Sequence, residues 1–244
     1  MSGMTGSDDR DPHPTVGVIV VAAGDSRRMD GLDKVFMPLG GMPLILHCLN
    51  AFEAAPEIQG IVLVLSESAL ERGETLVREH RLAKVETVVR GGARRQDSVA
   101  NGLRILSECD FVIVHDGARP FVDRGLVSRA LDAVAETGAA SAAVPVKDTI
   151  KVAGPDMIVN ETPDRRTLWA AQTPQAFRTA TLRNAHERLT GDVTDDASMV
   201  EALGVPVKLF LGAYENLKVT THDDVALAES ILSARSNAGA PGVL

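Results

Sequence analysis

The stretch VIVVAAGDSRRMDGLDKVF, residues 18–36, joins an apolar run to small residues and then to clustered positive charge. Its first part is apolar and largely β-branched, without polar alternation, which is typical of a strand buried on both faces of a sheet. The small residues that follow let backbone N–H groups approach a ligand closely, and such amides favour anions. Arg28 adds a planar fork of donors and Lys34 a mobile charge, so the stretch predicts a polyphosphate cradle.

Apolar runs alternate with segments of helical periodicity along the rest of the chain. The predicted strands are 16–22, 60–65, 84–89, 110–114, 140–146 and 206–211, and the predicted helices are 43–54, 67–81, 96–107, 123–137, 178–189, 195–203 and 223–235. This alternation predicts an α/β fold with a Rossmann-like, mostly parallel sheet and helices on both faces. Ligands of such sheets bind at the carboxyl ends of the strands, which here are followed by residues 23–34, 90–98 and 115–121.

The sequence predicts one domain with two tails and an arm. Residues 1–15 are polar and acidic and are expected to form a disordered tail, residues 16–235 the domain, and residues 236–244 a flexible tail. Residues 147–172 hold short β-like pieces and several turn residues, and the stretch is too long for a simple turn. We therefore expect an extended β-arm there.

The composition of the chain argues against several classes of protein. The 244 residues carry 33 acidic against 25 basic side chains, a balance that argues against a nucleic-acid or membrane-surface binder. Only Cys48 and Cys109 are present, so neither a disulfide framework nor a zinc site is indicated. No apolar run approaches the roughly 20 residues of a membrane span, and the N-terminus does not resemble a signal peptide. We expect a cytoplasmic protein.

The usual phosphate-binding fingerprints do not occur in the opening stretch. A P-loop requires GxxxxGK[ST] and a dinucleotide-binding fold requires GxGxxG, and neither pattern follows the first predicted strand. The absence of these patterns argues against a P-loop NTPase and against a dinucleotide-binding dehydrogenase. An ordinary strand-to-loop turn with solvated charges remains the alternative for the motif taken alone.

The loop after the third predicted strand, RGGARRQDSV at 90–99, suits recognition of a nucleotide base. Gly91 and Gly92 permit a close backbone approach, and the hydroxyl of Ser98 lies near the start of the next helix. Taken alone, the pattern also fits a turn followed by charges at a helix N-terminus.

The loop after the fourth predicted strand, VHDGARPFV at 114–122, offers a carboxylate and a guanidinium. Asp116 at the end of a parallel strand suits Mg²⁺ or a sugar hydroxyl, and Arg119 suits a phosphate. His115 is interpreted as a packed histidine rather than a base.

These motifs carry a resemblance to a known family. Residues 22–36 resemble the nucleotide-binding loop A-A-G-x-G-x-R-M followed by P-K of sugar-nucleotide and alditol-phosphate nucleotidyltransferases. Over about residues 16–235 the chain resembles the 2-C-methyl-D-erythritol 4-phosphate cytidylyltransferases, in the order and approximate spacing of the motifs GGxxRxxSV (91–99), VHDGARP (114–120), DTIK (148–151), LWAAQTPQAF (168–177), TDDAS (194–198) and NLKVT (216–220).

Three positions depart from the family pattern. Ser26 stands where the family usually has a second glycine, and Asp33 stands where it has the proline before Lys34. Ala93 stands where the family often has aspartate, so any side-chain role there is lost and backbone contacts must suffice.

The resemblance also implies roles for individual residues. Contacts to CTP are implied for Ala22, Ala23, Gly24, Arg28, Lys34, Gly92, Ser98 and Asp116, of which Gly92 and Ser98 contact cytosine. Contacts to the methylerythritol phosphate are implied for Asp116, Arg119, Thr149, Arg165, Thr173 and Lys218. Arg28, Lys34 and Lys218 carry the catalytic charge, and Mg²⁺ is expected mainly on the CTP phosphates, with Asp116 as the one candidate protein ligand.

The implied reaction transfers CMP from CTP to 2-C-methyl-D-erythritol 4-phosphate, releases pyrophosphate and belongs to the non-mevalonate isoprenoid pathway. The resemblance further implies a homodimer formed through the arm at 147–172. Two alternatives stay open at this point. One is a cytidylyltransferase for another alditol phosphate, such as ribitol 5-phosphate, and the other is a catalytically silent nucleotide-binding regulatory protein, against which the intact Arg28, Lys34 and Lys218 argue.

Overall fold

A computed structural model describes residues 14–24 and 34–238 of the chain. The strands are β1 (Val16–Ala22), β2 (Pro38–Leu39), β3 (Met42–Pro43), β4 (Gly60–Leu65), β5 (Val85–Arg90), β6 (Phe111–Asp116), β7 (Ala139–Pro145), β8 (Val152–Ala153), β9 (Val159–Glu161), β10 (Trp169–Arg178) and β11 (Lys208–Leu211). The helices are α1 (Leu44–Ala54), α2 (Leu70–Glu79), α3 (Arg95–Ile105), α4 (Arg124–Thr137), α5 (Thr179–Arg188), α6 (Asp196–Glu201) and α7 (His222–Ala238).

Seven strands form the central sheet in the order β11-β7-β10-β6-β1-β4-β5. All pairs are parallel except the two that β10 makes, with β6 and with β7. The predicted mostly parallel sheet is therefore confirmed. β10 itself was not predicted as a strand, because its partners lie far away in sequence and it carries no clear alternation of its own.

Helices cover both faces of this sheet, as predicted. On β1, Val18 and Val20 face the core that α1, α2 and α4 build, whereas Ile19 faces the core that α3, α5 and α6 build. All three side chains are fully buried. Burial on both faces explains why the strand is a continuous apolar run and why the loop after it has a fixed starting point.

The boundaries of the domain differ slightly from those predicted. Thr15, assigned to the N-terminal tail, donates from its backbone N–H to Asp110 Oδ2 at 2.8 Å and so lies at the base of the sheet. Helix α7 continues to Ala238, past the predicted start of the C-terminal tail. Residues 1–13, 25–33 and 239–244 lie outside the described residues, and with them most of the predicted tails and Arg28.

The predicted arm begins with an exposed hairpin. β8 and β9 pair antiparallel, and every side chain on both strands is exposed. The predicted end at residue 172 is too late, because Trp169–Arg178 is one strand whose start pairs with β7 in the central sheet. Within the described ranges, no helix is long and apolar enough to cross a membrane.

Candidate active site

The carboxyl ends of β1, β5 and β6 pack against each other without room for larger side chains. A Cβ atom placed on Gly91, just after β5, would lie 2.2 Å from the Cβ of Ala23. One placed on Gly117, just after β6, would lie 2.9 Å from the Cβ of Ala22. The small residues of the opening stretch thus allow three strand ends to converge on one place.

A cavity of about 520 Å³ opens where these strand ends meet, and we call it the larger cavity. Its lining combines small residues with cations and one carboxylate: Val21, Ala22, Ala23, Gly24, Lys34, Val35, Gly92, Ala93, Arg94, Arg95, Ser98, Asp116, Ala118 and Lys218. Backbone amides beside lysine and arginine side chains suit a polyanion.

The loop between β5 and α3 forms one wall of the larger cavity. Gly92 donates its N–H to Ser98 Oγ at 3.0 Å, and Ser98 Oγ donates to the Arg94 carbonyl at 3.1 Å. A Cβ on Gly92 would lie 2.3 Å from the Cβ of Asp97, so only glycine fits this path. Ser98 therefore fixes the course of the loop, of which Gly92 and Ala93 line the cavity.

A smaller cavity of about 250 Å³ adjoins the larger one. Its lining is Arg95, Asp116, Arg119, Ala171, Gln172, Thr173, Gln175, Thr194 and Asp195. Arg95 and Asp116 line both cavities and mark the boundary between them. Two neighbouring sites that share a carboxylate and a guanidinium can bring two polar ligands into contact.

Asp116 is the carboxylate on which the charges of this boundary converge. Arg95 donates from Nε to Oδ1 at 3.1 Å, Lys218 Nζ lies 2.8 Å from Oδ2, and Arg119 Nε lies 3.8 Å from Oδ2. Burial raises the pKa of this carboxyl, but Arg95, Lys218 and Arg119 outweigh burial and hold the pKa well below its usual range. Asp116 is therefore ionised at neutral pH and keeps three cations at the boundary.

His115 and Thr173 hold the backbone beneath Asp116. The Asp116 N–H donates to Thr173 Oγ1 at 3.0 Å, and His115 Nδ1 lies 3.2 Å from the same hydroxyl. His115 Nε2 lies 3.0 Å from the Arg119 carbonyl, so Nε2 carries the proton and Nδ1 accepts from Thr173. Burial lowers the pKa of His115 to about 4. The interpretation of His115 as a packed neutral histidine agrees with this geometry.

Asn216 fixes the segment that delivers Lys218. Its side chain is fully buried and donates from Nδ2 to the Thr173 carbonyl at 2.8 Å. Its carbonyl accepts from Arg119 Nη1 at 2.7 Å. The chain that leads into α7 is thereby tied to β10 and to the loop after β6, which sets the distance from Lys218 to Asp116.

The structure brings most of the predicted site residues together. Those at the larger cavity are Ala22, Ala23, Gly24, Lys34, Gly92, Ser98, Asp116 and Lys218, and those at the smaller cavity are Asp116, Arg119 and Thr173. Thr149 and Arg165 line neither cavity and are exposed on the arm, where Arg165 Nη1 donates to the Lys147 carbonyl at 2.9 Å. Arg28 lies outside the described residues.

Sequence reasoning missed the buried polar residues that support the site. Arg95, Asp196 and Asn216 were not predicted, although each lies in a motif quoted above. A charged or amide residue within a motif at a strand end is a signal that could have found them. The contacts themselves join residues up to 101 positions apart, which spacing does not reveal.

The donor set does not form a metal cage. Among the described residues, no group of three or more His, Cys, Asp or Glu side chains could hold a metal ion. Both oxygens of Asp116 already face cations. Within the described residues, the two cavities thus offer a divalent ion no cluster of protein ligands.

Comparison with known proteins identifies the family. A sequence model described as IspD, 2-C-methyl-D-erythritol 4-phosphate cytidylyltransferase, matches residues 16–234. The chain belongs to this family. The family assignment and the mostly parallel fold predicted from the sequence are thus both confirmed.

Individual members of the IspD family are similar over nearly their whole length. The enzyme of that name from Dehalococcoides mccartyi is 46% identical over 217 residues, covering 89% of this chain and 96% of that protein. The one from Geobacillus kaustophilus is 47% identical over 221 residues, covering 89% and 96%.

Solved structures carry the same fold. A crystal structure of 4-diphosphocytidyl-2C-methyl-D-erythritol synthase from Anaerococcus prevotii matches with a TM-score of 0.81 at 29% identity, covering 90% of this chain and 96% of that one. That of the cytidylyltransferase from Thermus thermophilus matches with a TM-score of 0.73 at 35% identity, covering 90% and 99%.

Proposed function

We propose that this IspD-family chain transfers CMP from CTP to 2-C-methyl-D-erythritol 4-phosphate, giving 4-diphosphocytidyl-2-C-methyl-D-erythritol and pyrophosphate. The observation that carries the proposal is that Asp116 and Arg95 line both cavities, so that a nucleotide in one and an alditol phosphate in the other would meet at a shared boundary. The names of the relatives supply the two substrates.

The larger cavity is proposed to bind CTP. Ala22, Ala23 and Gly24 offer backbone close to the triphosphate, while Lys34 and Arg28 neutralise it. The backbone of the Gly92 loop reads the cytosine edge, and Ser98 keeps that loop in shape through its bonds to Gly92 and Arg94. Base selection through backbone groups agrees with the absence of an acidic side chain at Ala93.

The smaller cavity is proposed to bind the acceptor. Asp116 accepts hydrogen bonds from acceptor hydroxyls, and Arg119 and Lys218 draw its phosphate toward the boundary. Thr173 supports this arrangement through the Asp116 backbone, since its hydroxyl proton is already directed at His115.

The chemistry is an in-line displacement at phosphorus. An oxygen of the acceptor phosphate attacks the α-phosphorus of CTP and forms a new P–O bond, while the bond to the β-phosphate breaks and pyrophosphate leaves with the electron pair. The attacking oxygen is already anionic, so no general base is needed. Catalysis consists of holding two anions in line and stabilising the added charge of the transition state, which Lys34, Arg28 and Lys218 are suited to do.

We propose that Mg²⁺ enters with CTP, held by the triphosphate. When bound, it supplies further neutralisation of the phosphate charge. This assignment agrees with the contacts of Asp116, the carboxylate that lines both cavities, since its two oxygens each face a cation.

We further propose that two copies of the chain share their sites through the arm, in the cytoplasm. Thr149 and Arg165 face neither cavity of their own chain. The arm also exposes apolar side chains, with Met157 82%, Ile158 64% and Val159 51% exposed. An isolated two-stranded ribbon is marginally stable in water, and a second copy would cover it through a two-fold contact.

A pyrophosphate-release assay tests the proposed function. We expect release with CTP, Mg²⁺ and 2-C-methyl-D-erythritol 4-phosphate, and much slower release when ribitol 5-phosphate replaces that acceptor. Faster turnover of ribitol 5-phosphate would show that ribitol 5-phosphate is the acceptor. Absence of pyrophosphate release with every alditol phosphate would contradict enzymatic function.

A further inference from the structure

One guanidinium joins two carboxylates that lie on different elements of the fold. Arg95, the first residue of α3, donates from Nε to Asp116 Oδ1 at 3.1 Å and from Nη1 to Asp196 Oδ2 at 2.6 Å. Asp116 ends β6 and faces both cavities, whereas Asp196 begins α6 and lines neither. Asp196 can therefore affect bound ligands only through its neighbours.

The burial of Asp196 calls for a partner of opposite charge. Its side chain is 1% exposed, and within the described ranges its ion-pair partner is Arg95. His186 Nε2 lies 3.7 Å from Oδ1 and can pair with it when protonated. Burial raises the pKa of Asp196, but Arg95 and His186 outweigh burial and lower it. Such buried ion pairs contribute little net stability compared with apolar side chains of similar size, so stability alone does not account for this one.

The geometry at Asp116 indicates what Asp196 does. Arg95 occupies only Oδ1 of Asp116, and Lys218 occupies Oδ2 at 2.8 Å. A guanidinium without a second carboxylate favours a two-pronged contact with both oxygens of one carboxylate. If Asp196 released Nη1, Arg95 would be free to take both oxygens of Asp116 and displace Lys218.

We propose that Asp196 is a positioning residue that, by holding one arm of the Arg95 guanidinium, reserves Oδ2 of Asp116 for Lys218. This inference rests on the proposed function, because Asp116 and Lys218 are assigned to the acceptor and to the transferred phosphoryl group. It adds to that function a residue which touches no substrate and sets where the acceptor lies.

The kinetic test uses Asp196→Asn, which removes the charge and keeps the shape. We expect the KM for the acceptor to rise at least tenfold, because Lys218 and Asp116 lose their arrangement. A loss of folded protein would lower kcat and leave KM unchanged, so an unchanged acceptor KM overturns the proposal. Asp132→Asn is the matched control, since Asp132 lies on α4, is exposed and lines neither cavity. It should behave as the wild type.

A double-mutant cycle tests whether the effect passes through Arg95. In an Arg95→Met background, Asp196→Asn should change the acceptor KM less than twofold, because the connection is already absent. If Asp196→Asn raised the acceptor KM equally in the wild-type and Arg95→Met backgrounds, the proposal that Asp196 acts through Arg95 would be overturned. Arg95→Lys provides a test that does not depend on how Asp196→Asn folds. A single ammonium replaces the fork, so we expect a similar rise in acceptor KM, and wild-type behaviour would contradict the proposal.

A crystal structure of Asp196→Asn separates this inference from the proposed function. We expect Arg95 to contact both oxygens of Asp116 and Lys218 Nζ to leave hydrogen-bond distance of Oδ2. If Arg95 and Lys218 keep their wild-type contacts with Asp116, the proposed role of Asp196 is overturned, even if the wild type is an active cytidylyltransferase. If the wild type releases no pyrophosphate, the proposed function is wrong. The same crystal structure still shows whether Asp196 positions Arg95 and Lys218.

Discussion

The Lys218 ammonium lies 2.8 Å from Oδ2 of Asp116, so a cation from the segment before α7 meets a carboxylate at the end of β6. The pair stands where the two cavities adjoin. We expect a phosphate bound there to contact Lys218, while Arg95 stays on Oδ1 of Asp116.

The first prediction concerns the cations of the larger cavity. Lys34→Ala and Arg28→Ala should each lower kcat/KM at least about 100-fold, which corresponds to about 2.7 kcal/mol of lost transition-state stabilisation. Steady-state kinetics with CTP and the acceptor measure this loss. Lys84→Ala is the control, because Lys84 precedes β5 at the opposite end of the strands and contacts the Ala55 carbonyl. Near-normal activity of Lys34→Ala would show that the cavity binds something other than a triphosphate.

The second prediction concerns base selection. CTP should be used far better than UTP or ATP, because a site that hydrogen-bonds one base edge leaves polar groups unpaired with another. Gly92→Ala should raise the KM for CTP at least about tenfold, since its Cβ would meet that of Asp97 and shift the loop. Gly191→Ala is the matched control, because nothing lies within 4 Å of a Cβ placed there. Equal turnover of CTP and UTP would contradict the assignment of the Gly92 loop to cytosine.

The third prediction concerns the pH dependence of stability. Burial lowers the pKa of His115 from 6.5 to about 4, so between these values the unfolded chain binds more protons than the folded one. His115 should therefore reduce the free energy of unfolding as the pH falls from 6.5 to 4, by up to roughly 3 kcal/mol.

Urea unfolding at several pH values checks the slope. His115→Gln removes the titration and retains a donor for the Arg119 carbonyl, so the variant should show a shallower dependence between these pH values. His80→Gln, at an exposed position, should retain the wild-type slope. An unaltered slope in His115→Gln would show that His115 does not titrate in this range.

The fourth prediction tests the sharing of sites between subunits. If Arg165 serves the partner's site, a mixed dimer of Lys34→Ala and Arg165→Ala chains has one site with both defects and one with neither. About half the dimers are mixed after random exchange, so roughly a quarter of all sites should be intact. Mixing the two inactive proteins, with exchange confirmed, should restore activity near that level.

Arg166→Ala controls for damage to the arm, because Arg166 is the neighbouring exposed arginine and pairs with Asp164 at 2.6 Å. We expect this variant to be active alone. If mixing restores nothing, Arg165 acts in its own chain's site or the chain works as a monomer.

Much of the fold could be predicted because its signals are local. β1 and β4 are continuous apolar runs, and their bounds agree with the prediction to the residue. β10 was not predicted because its pairing with β6 and β7 is a tertiary contact, and its register with β7 shifts between Ala171 and Gln175. The end of the arm was misplaced for the same reason.

The candidate site likewise has residues that the sequence could predict and residues that it could not. Gly92 and Asp116 stand directly after or at the end of strands, where the topology of a parallel sheet places ligands. Arg95 and Asp196 become partners only when α3 and α6 cover the same face of the sheet. No spacing rule relates them, since the contact depends on how two helices pack.

The transfer of label from [α-³²P]CTP to 2-C-methyl-D-erythritol 4-phosphate, measured for the wild type and for Asp116→Asn, tests the central claim most directly. We predict labelled 4-diphosphocytidyl-2-C-methyl-D-erythritol with the wild type, and at least about 100-fold slower formation with Asp116→Asn, because the neutral amide no longer organises Arg95 and Lys218 between the two cavities. Absence of labelled product with the wild type, or equal rates for the two proteins, would contradict the account.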